Sequence, residues 1–155
     1  MRRSARPGEL DAVAGQARAL REWFRGFVQQ HKGRALRSDV LRELAPLNRI
    51  LDRDQEYGQI VKRERGKDPE MPSGVAWRQL RRWQSCDALL LPIARSMADL
   101  VCTEDFSYVK ACEGPTCTLL MLDKTHARAR RWCSMAVCGN RAKQAAHRER
   151  ERARL

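Results

Sequence analysis

The first part of the chain carries apolar residues at intervals of three and four, which is the spacing of one face of an α-helix. This pattern predicts a helix from Glu9 to Lys32, closed by Gly33. Its predicted inward positions are Leu10, Val13, Ala14, Ala17, Leu20, Trp23, Phe24, Phe27 and Val28. We therefore expect one long amphipathic helix near the start of the fold.

Two further helices are predicted, and each contains a proline. Ser38 is expected to cap the second helix, which Pro46 would kink. Ser85 is expected to cap a third helix that runs to about Val101 and is interrupted by Pro92. The predicted inward residues are Val40, Leu41, Leu44, Leu47, Ile50 and Leu51 in the second helix, and Leu89, Leu90, Ile93, Met97 and Leu100 in the third.

The strand signals are shorter and weaker than the helix signals. Glu56–Val61 predicts one strand, and Val75–Trp83 predicts another that would pair back on it as a hairpin within 56–83. The charged segment 62–69 is typical of a solvated turn or loop. Asp105–Lys110 is expected to be extended. The pattern therefore predicts a mainly α fold with a small β component.

Four cysteines in the last third form two equally spaced pairs. Cys112 and Cys117 enclose four residues, and Cys133 and Cys138 enclose four more. This spacing is typical of a tetrahedral Cys₄ zinc site, in which four thiolates leave no open coordination position. We therefore predict a structural Zn²⁺ ion. The alternatives are three disulfides in a secreted chain, or a histidine (His126 or His147) in place of one cysteine.

The segment around these cysteines has too few large apolar residues for a free-standing fold of its length, so a metal is expected to hold it together. Thr118–Asp123 predicts a strand, and Arg130–Cys133 is expected to return antiparallel to it before a final helix. A knuckle, a hairpin and a ligand pair leading into a helix make a treble clef; a zinc ribbon is the alternative. We predict two domains, a helical one over 1–104 and a zinc module over 105–155.

Positive charge is concentrated at the carboxyl end. The formal net charge is +12, and residues 124–155 hold ten Lys and Arg against two Glu. Cations at helical spacing neutralise phosphates, and Asn and Arg side chains can pair with base edges. A metal module joined to such a helix predicts nucleic-acid binding. The predicted contact residues are Arg128, Arg130, Arg131, Asn140, Arg141, Lys143, His147 and Arg148.

The segment Arg130–Lys143 closely resembles the signature of the CGNR zinc-finger family. The first cysteine pair, followed by Leu122-Asp123, is similar to that family's first knuckle and strand. The resemblance implies a bacterial transcription regulator with a helical amino-terminal domain of the ABATE type. It also implies that all four paired cysteines bind zinc and that the turn at 139–141 and its helix contact DNA. The strand-like opening of many relatives is missing here, so an incomplete sheet is expected.

We expect a cytoplasmic DNA-binding regulator that uses its zinc module and basic helix on duplex DNA. Its helical domain is expected to dimerise or to sense a signal. An RNA-binding protein of the translation or stress apparatus is one alternative, and a zinc-scaffolded protein-interaction adaptor is another. An enzyme is not expected, because there is no glycine-rich phosphate loop, nucleophile elbow or metal-spaced histidine pair. No apolar run approaches the roughly 20 residues that span a bilayer, and no secretory signal is expected.

Several other polar residues are expected to be structural. Cys86 and Cys102 are predicted to be buried core cysteines, and His31 to cap the end of the first helix. The acidic residues at 52, 54 and 56 are interpreted as a solvated helix end rather than a divalent-ion site.

Overall fold

A computed structural model of the chain describes residues 7–63 and 74–154. The described part is mainly helical, with two small antiparallel sheets. This agrees with the predicted fold class. Most of the loop predicted over 62–69 lies outside the described residues. The elements are α1 (Glu9–His31), α2 (Ala45–Leu51), β1 (Glu56–Lys62), β2 (Val75–Arg81), α3 (Leu90–Thr103), β3 (Val109–Ala111), β4 (Leu120–Leu122) and α4 (Asn140–Arg152).

The long first helix has nearly the predicted bounds and ends at a glycine in the left-handed conformation. Gly33 has a φ of 75°, which a residue with a Cβ adopts only under strain. Its N–H donates to the carbonyl oxygen of Phe106 at 2.9 Å, so the end of α1 is attached to the segment that precedes β3. The buried residues of α1 are Val13, Leu20, Phe27 and Val28, whereas Leu10 is exposed.

The second predicted helix is divided rather than kinked. Ser38–Arg42 form a 3₁₀-helix, and α2 then starts afresh with Pro46 in its first turn. Proline is tolerated there because a first-turn N–H has no partner within the helix. The side chain of Ser38 does not cap the segment, and Leu41 is exposed, so these two expectations were wrong.

The third predicted helix has the same construction. Cys86–Leu89 form a 3₁₀-helix, and Pro92 lies in the first turn of α3, so it interrupts nothing. The 3₁₀ turn has about 3.0 residues rather than 3.6, which rotates the inward face relative to a continuous α-helix. As a result Leu89 and Ile93, predicted to be inward, are exposed. The buried residues of α3 are Leu90, Leu91 and Ala94.

The hairpin lies where the two weak strand signals placed it. β1 and β2 pair antiparallel from Glu56 opposite Arg81 to Lys62 opposite Val75. The Arg81 guanidinium donates to both carboxylate oxygens of Asp54 at 2.6 Å and to Glu56 at 2.5 Å. These bonds fix the hairpin base to the end of α2, and they raise the pKa of Arg81. The acidic residues at 54 and 56 therefore hold an arginine.

The hydrophobic core continues past the predicted domain boundary. Phe106 is fully buried, and its ring meets that of Phe27 edge-on with centroids 6.1 Å apart. Val109 in β3 also belongs to this core, and residues of the neighbouring strand β4 pack against the core. The buried residues of the cluster are Leu20, Phe27, Val28, Val40, Leu44, Leu47, Ala94, Phe106 and Val109. The segment after residue 104 is thus packed on the helices.

The pairing of the predicted strand at 118–123 differs from expectation. β4 pairs antiparallel with β3, with Val109 opposite Leu122, and not with Arg130–Cys133. The returning segment forms no ladder with any strand in the described part of the chain. One backbone bond, from Glu113 N–H to the Arg131 carbonyl, attaches it to the first knuckle. Pairing with β3 is favoured because Val109 lies in the hydrophobic core, so that Leu120 and Leu122 of β4 pack against that core.

Three of the predicted structural side chains have different surroundings. Cys86 is half-buried, and its thiol lies 3.5 Å from a carboxylate oxygen of Glu9; burial and this bond raise its pKa. Cys102 is exposed, so its assignment to the core was wrong. The His31 ring packs on Phe27 and bonds Glu43 at 3.0 Å, which ties α1 to the segment before α2.

Candidate metal centre and basic helix

The four paired cysteines meet at one point in space. All four sulfur atoms lie within 4.8 Å of one another, with 3.7 Å between Cys117 and Cys133 and 3.6 Å between Cys133 and Cys138. Four sulfurs placed 2.3 Å from one Zn²⁺ ion would be about 3.8 Å apart. A disulfide would need about 2.05 Å. The donor set and its spacing therefore fit a structural zinc ion.

Neither candidate histidine belongs to this thiol cluster. The grouping of potential ligands among the described residues contains cysteines alone. His126 is exposed in the turn after β4, and the ring of His147 lies 3.4 Å from Glu151 on α4. The site is thus a four-thiol one, as the cysteine spacing predicted.

Hydrogen bonds make the four thiols unequal. The backbone N–H groups of Cys133 and Gly114 point at the sulfur of Cys112, at 3.3 and 3.5 Å, and lower its pKa to about 6. A hydrogen bond between the thiols of Cys138 and Cys133 raises the pKa of Cys138 to about 12. Burial raises the pKa of Cys133. N–H donors to sulfur of this kind stabilise thiolates, which are the form that binds a metal.

A glycine lets the first knuckle approach the sulfur atoms. A Cβ on Gly114 would lie 3.1 Å from the Cβ of Cys117 and 3.2 Å from the sulfur of Cys138. Both contacts are tighter than side chains normally make, and neither neighbour can move without displacing a ligand. Gly114 therefore permits the close packing of the two cysteine pairs.

Asp123 holds the loop between β4 and the second cysteine pair. This carboxylate is completely buried and accepts bonds from the Thr125 hydroxyl at 2.6 Å, the Thr125 N–H, the Lys110 ammonium and the Arg130 N–H. The Thr125 hydroxyl bond, with those of Lys110 and Arg130, keeps the pKa of Asp123 well below its usual range. This role of Asp123 was not predicted from the sequence. Its local signal is the Asp-x-Thr spacing, which is typical of a side-chain-stabilised turn.

The three arginines upstream of the second pair bind other parts of the module. Arg128 lies 4.0 Å above the Tyr108 ring and donates to the Asp123 carbonyl. The Arg130 guanidinium donates to the carbonyls of Trp132 and Cys133. Arg131 bonds Glu113 at 2.6 Å and lies over the Trp132 ring. These side chains fasten the loop to the knuckles, so they are less available for a phosphate than the sequence suggested.

The cations of α4 have a different environment. A π-helical turn at Met135–Gly139 carries Cys138 and leads directly into α4. Arg141, Lys143 and Arg148 are exposed, and among residues 7–63 and 74–154 they form no ion pair. The side-chain N–H₂ of Asn140 donates to the Ala136 carbonyl at 3.2 Å, which ties the helix start to the turn. The predicted contact set therefore divides into a loop-fastening group and a free helical group.

A four-thiol centre leading into a basic helix, packed on a helical domain, defines a zinc-finger protein. The CGNR zinc finger model matches residues 108–151. The ABATE model, described as "Putative stress-induced transcription regulator", matches residues 2–104, which is most of the chain. The chain therefore belongs to the ABATE family and carries a CGNR zinc finger. No curated protein matches it. Within the described residues, no helix has the length and apolarity needed to cross a bilayer.

Proposed function

We propose that this protein is a transcription regulator that binds duplex DNA through α4, with zinc holding the start of that helix in place. The observation that carries the proposal is that the α4 cations Arg141, Lys143 and Arg148 are exposed and form no ion pair within the described residues. The helix has five basic and two acidic side chains and no buried residue, and it projects from the zinc centre. A helix with no buried residue and a strong excess of cations gains little from packing, so its role is better explained by a charged partner.

The metal has a defined part in this proposal. Zinc would be held by Cys112, Cys117, Cys133 and Cys138, and it supplies structural cross-linking rather than reactivity, because four thiolates fill its coordination shell. Cys138 lies in the turn that opens α4, so the ion fixes the direction in which the helix leaves the module. We further propose that the protein is not an enzyme and that it acts in the cytoplasm as a dimer joined through the helical domain.

A binding assay with the full zinc-loaded chain tests the proposal. Gel-shift titrations of a genomic DNA fragment pool should show affinity that falls steeply with salt, because each phosphate neutralised contributes about −0.9 to the slope of log K against log salt. Chelation should abolish binding. Binding that is absent, or that is insensitive to salt, would remove the proposal.

Charge reversal separates the proposal from the adaptor alternative. Arg141→Glu with Lys143→Glu should abolish DNA binding, since both cations are exposed on α4. An adaptor would keep its nucleic-acid affinity after this change. The matched control is Arg95→Glu with Lys32→Glu, which alters charge equally outside the zinc module. Crosslinking followed by sequencing of both nucleic acids distinguishes DNA from RNA as the partner.

A further inference from the structure

The polar residues of α4 are sorted by face. Residues spaced by four, seven and eleven lie on one side of an α-helix, so Asn140, Gln144, His147 and Glu151 share a line along α4. The contact of His147 with Glu151, at 3.4 Å, agrees with this placement. We call Gln144, His147 and Glu151 the polar stripe. Asn140 is left out because its N–H₂ group is bonded to Ala136.

The polar stripe faces away from the rest of the protein. Ala142 is half-buried, whereas the other twelve residues of α4 are exposed. Ala142 lies roughly 140–180° around the helix from the members of the stripe, since each residue turns the helix by about 100°. The side of α4 that contacts the zinc module is thus opposite the stripe, and an incoming partner meets the stripe first.

Cations flank the polar stripe on both sides. Arg141, Arg148 and Arg152 lie roughly 90° to one side, and Lys143 and Arg150 lie roughly 80° to the other. The helix geometry thus separates these cations into two rows with an uncharged or acidic line between them. A flat anionic surface would contact only one row of cations. A DNA groove has a phosphate backbone on each side, so both rows could contact phosphates.

We propose that α4 enters the major groove of DNA with Gln144, His147 and Glu151 directed at base edges and the two cationic rows directed at opposite phosphate strands. This inference rests on the proposed DNA-binding function. The major groove is about 12 Å wide and admits one α-helix. Gln144 has the donor and acceptor pair that reads adenine, and the Glu151 carboxylate accepts a bond from the cytosine amino group.

The position of Glu151 is better explained by base reading than by general affinity for DNA. Glu151 lies in the centre of the face that two rows of cations turn toward a polyanion. A carboxylate there weakens attraction to any phosphate backbone, so it is useless for general affinity. Base reading explains its position, because a carboxylate is rewarded only where a cytosine amino group lies opposite. Glu149 is also exposed, but it lies on the side of the helix that carries Ala142, so it would face away from the bases.

Selection of bound DNA from a random duplex library tests the assignment with a matched pair. Glu151→Ala and Glu149→Ala remove the same charge from opposite faces of α4, so both should raise non-specific affinity to a similar small extent. Only Glu151→Ala should lose discrimination at one base position, by about fivefold or more. Gln144→Ala should do the same at a second position. The two positions should be about three base pairs apart, since seven residues rise about 10.5 Å.

The salt dependence of binding tests whether both rows of cations contact phosphates. Arg148→Ala and Lys143→Ala, one from each row, should each weaken binding to all sequences and reduce the salt slope by about one, with the selected sequence unchanged. A reduced slope from one row alone would mean that α4 lies on the outside of the backbone, which overturns the inference.

The results of these experiments distinguish the base-reading assignment from the proposed DNA-binding function on which it rests. If the wild-type protein binds no DNA, the proposed function fails and the stripe assignment fails with it. If it binds DNA without sequence preference, or if the two glutamate variants change the selected sequence equally, the DNA-binding function stands and the base-reading assignment is overturned. Circular dichroism of each variant must show wild-type helix content for these comparisons.

Discussion

Truncation of Phe106 tests whether the zinc finger and the helices fold as one unit. The ring is fully buried between α1 and β3, and Phe27 meets it edge-on. Phe106→Ala removes this packing and leaves a cavity, which costs about 3–5 kcal/mol in well-packed cores. This is a large share of a total stability of about 5–15 kcal/mol, yet it leaves much of the protein folded.

Urea denaturation followed by circular dichroism, with zinc in excess, measures the loss. In a parallel thermal scan the midpoint should fall by roughly 2–4 °C for each kcal/mol. Because Phe106 belongs to one core shared by both parts, the variant should lower the midpoint for helix loss and for zinc release together. Leu119→Ala is the control, since Leu119 is exposed and its truncation should change stability by less than about 0.5 kcal/mol.

A loss below about 1 kcal/mol for Phe106→Ala would refute the reasoning, because a fully buried ring cannot be removed so cheaply from a tight core. Two separate transitions, with only one of them shifted, would show that the helices and the zinc module are independent units.

Three further predictions concern the metal, pH and the hairpin. Cys138→Ser should reduce bound zinc from one ion per chain to a small fraction, measured by elemental analysis, and should unfold α4; retention of metal and helix would contradict the four-thiol centre. The lowered pKa of Asp123 means that its stabilising effect is present above the usual carboxyl pKa and is lost as the pH falls toward the lower folded value. Asp123→Asn should therefore lower the urea midpoint strongly at pH 7, and its difference from wild type should shrink below pH 4; a constant difference would count against this. Arg81→Met should cost about 1.5–3 kcal/mol through its lost charged hydrogen bonds, whereas Arg95→Met, at an exposed ion pair, should cost about 0.5 or less.

Local patterns predicted the elements and most of their inward residues, but a few predicted inward residues are exposed. The bounds of α1 and the pairing of β1 with β2 follow from short-range periodicity and propensity. In the second and third helices, Leu41, Leu89 and Ile93 were wrongly predicted to face inward, because each helix begins with a 3₁₀ turn that changes the phase of the apolar residues. The other predicted inward residues of these two helices are buried or packed against the core. A proline signals a local break, but it does not say whether the helix bends or restarts.

The candidate site shows the same division. The cysteine spacing predicted the four-thiol cluster because ligand geometry restricts the distance between the members of each pair. It did not predict the roles of Asp123 or of the loop arginines. The ring on which Arg128 packs, Tyr108, and the carboxylate that Arg131 binds, Glu113, lie far enough away in sequence that no local pattern marks them. A side chain's partner is decided by the path of the whole chain.

The sequence by itself determined that four thiols would gather around one ion and that positive charge would follow them, because both depend on residue type and short spacing. Only the tertiary structure decided which cations are free. Arg128, Arg130 and Arg131 bind the loop, while Arg141 and Lys143 remain on opposite sides of a projecting helix. The physical reason is competition: a guanidinium near a carbonyl, a carboxylate or an aromatic ring in its own fold binds that group first.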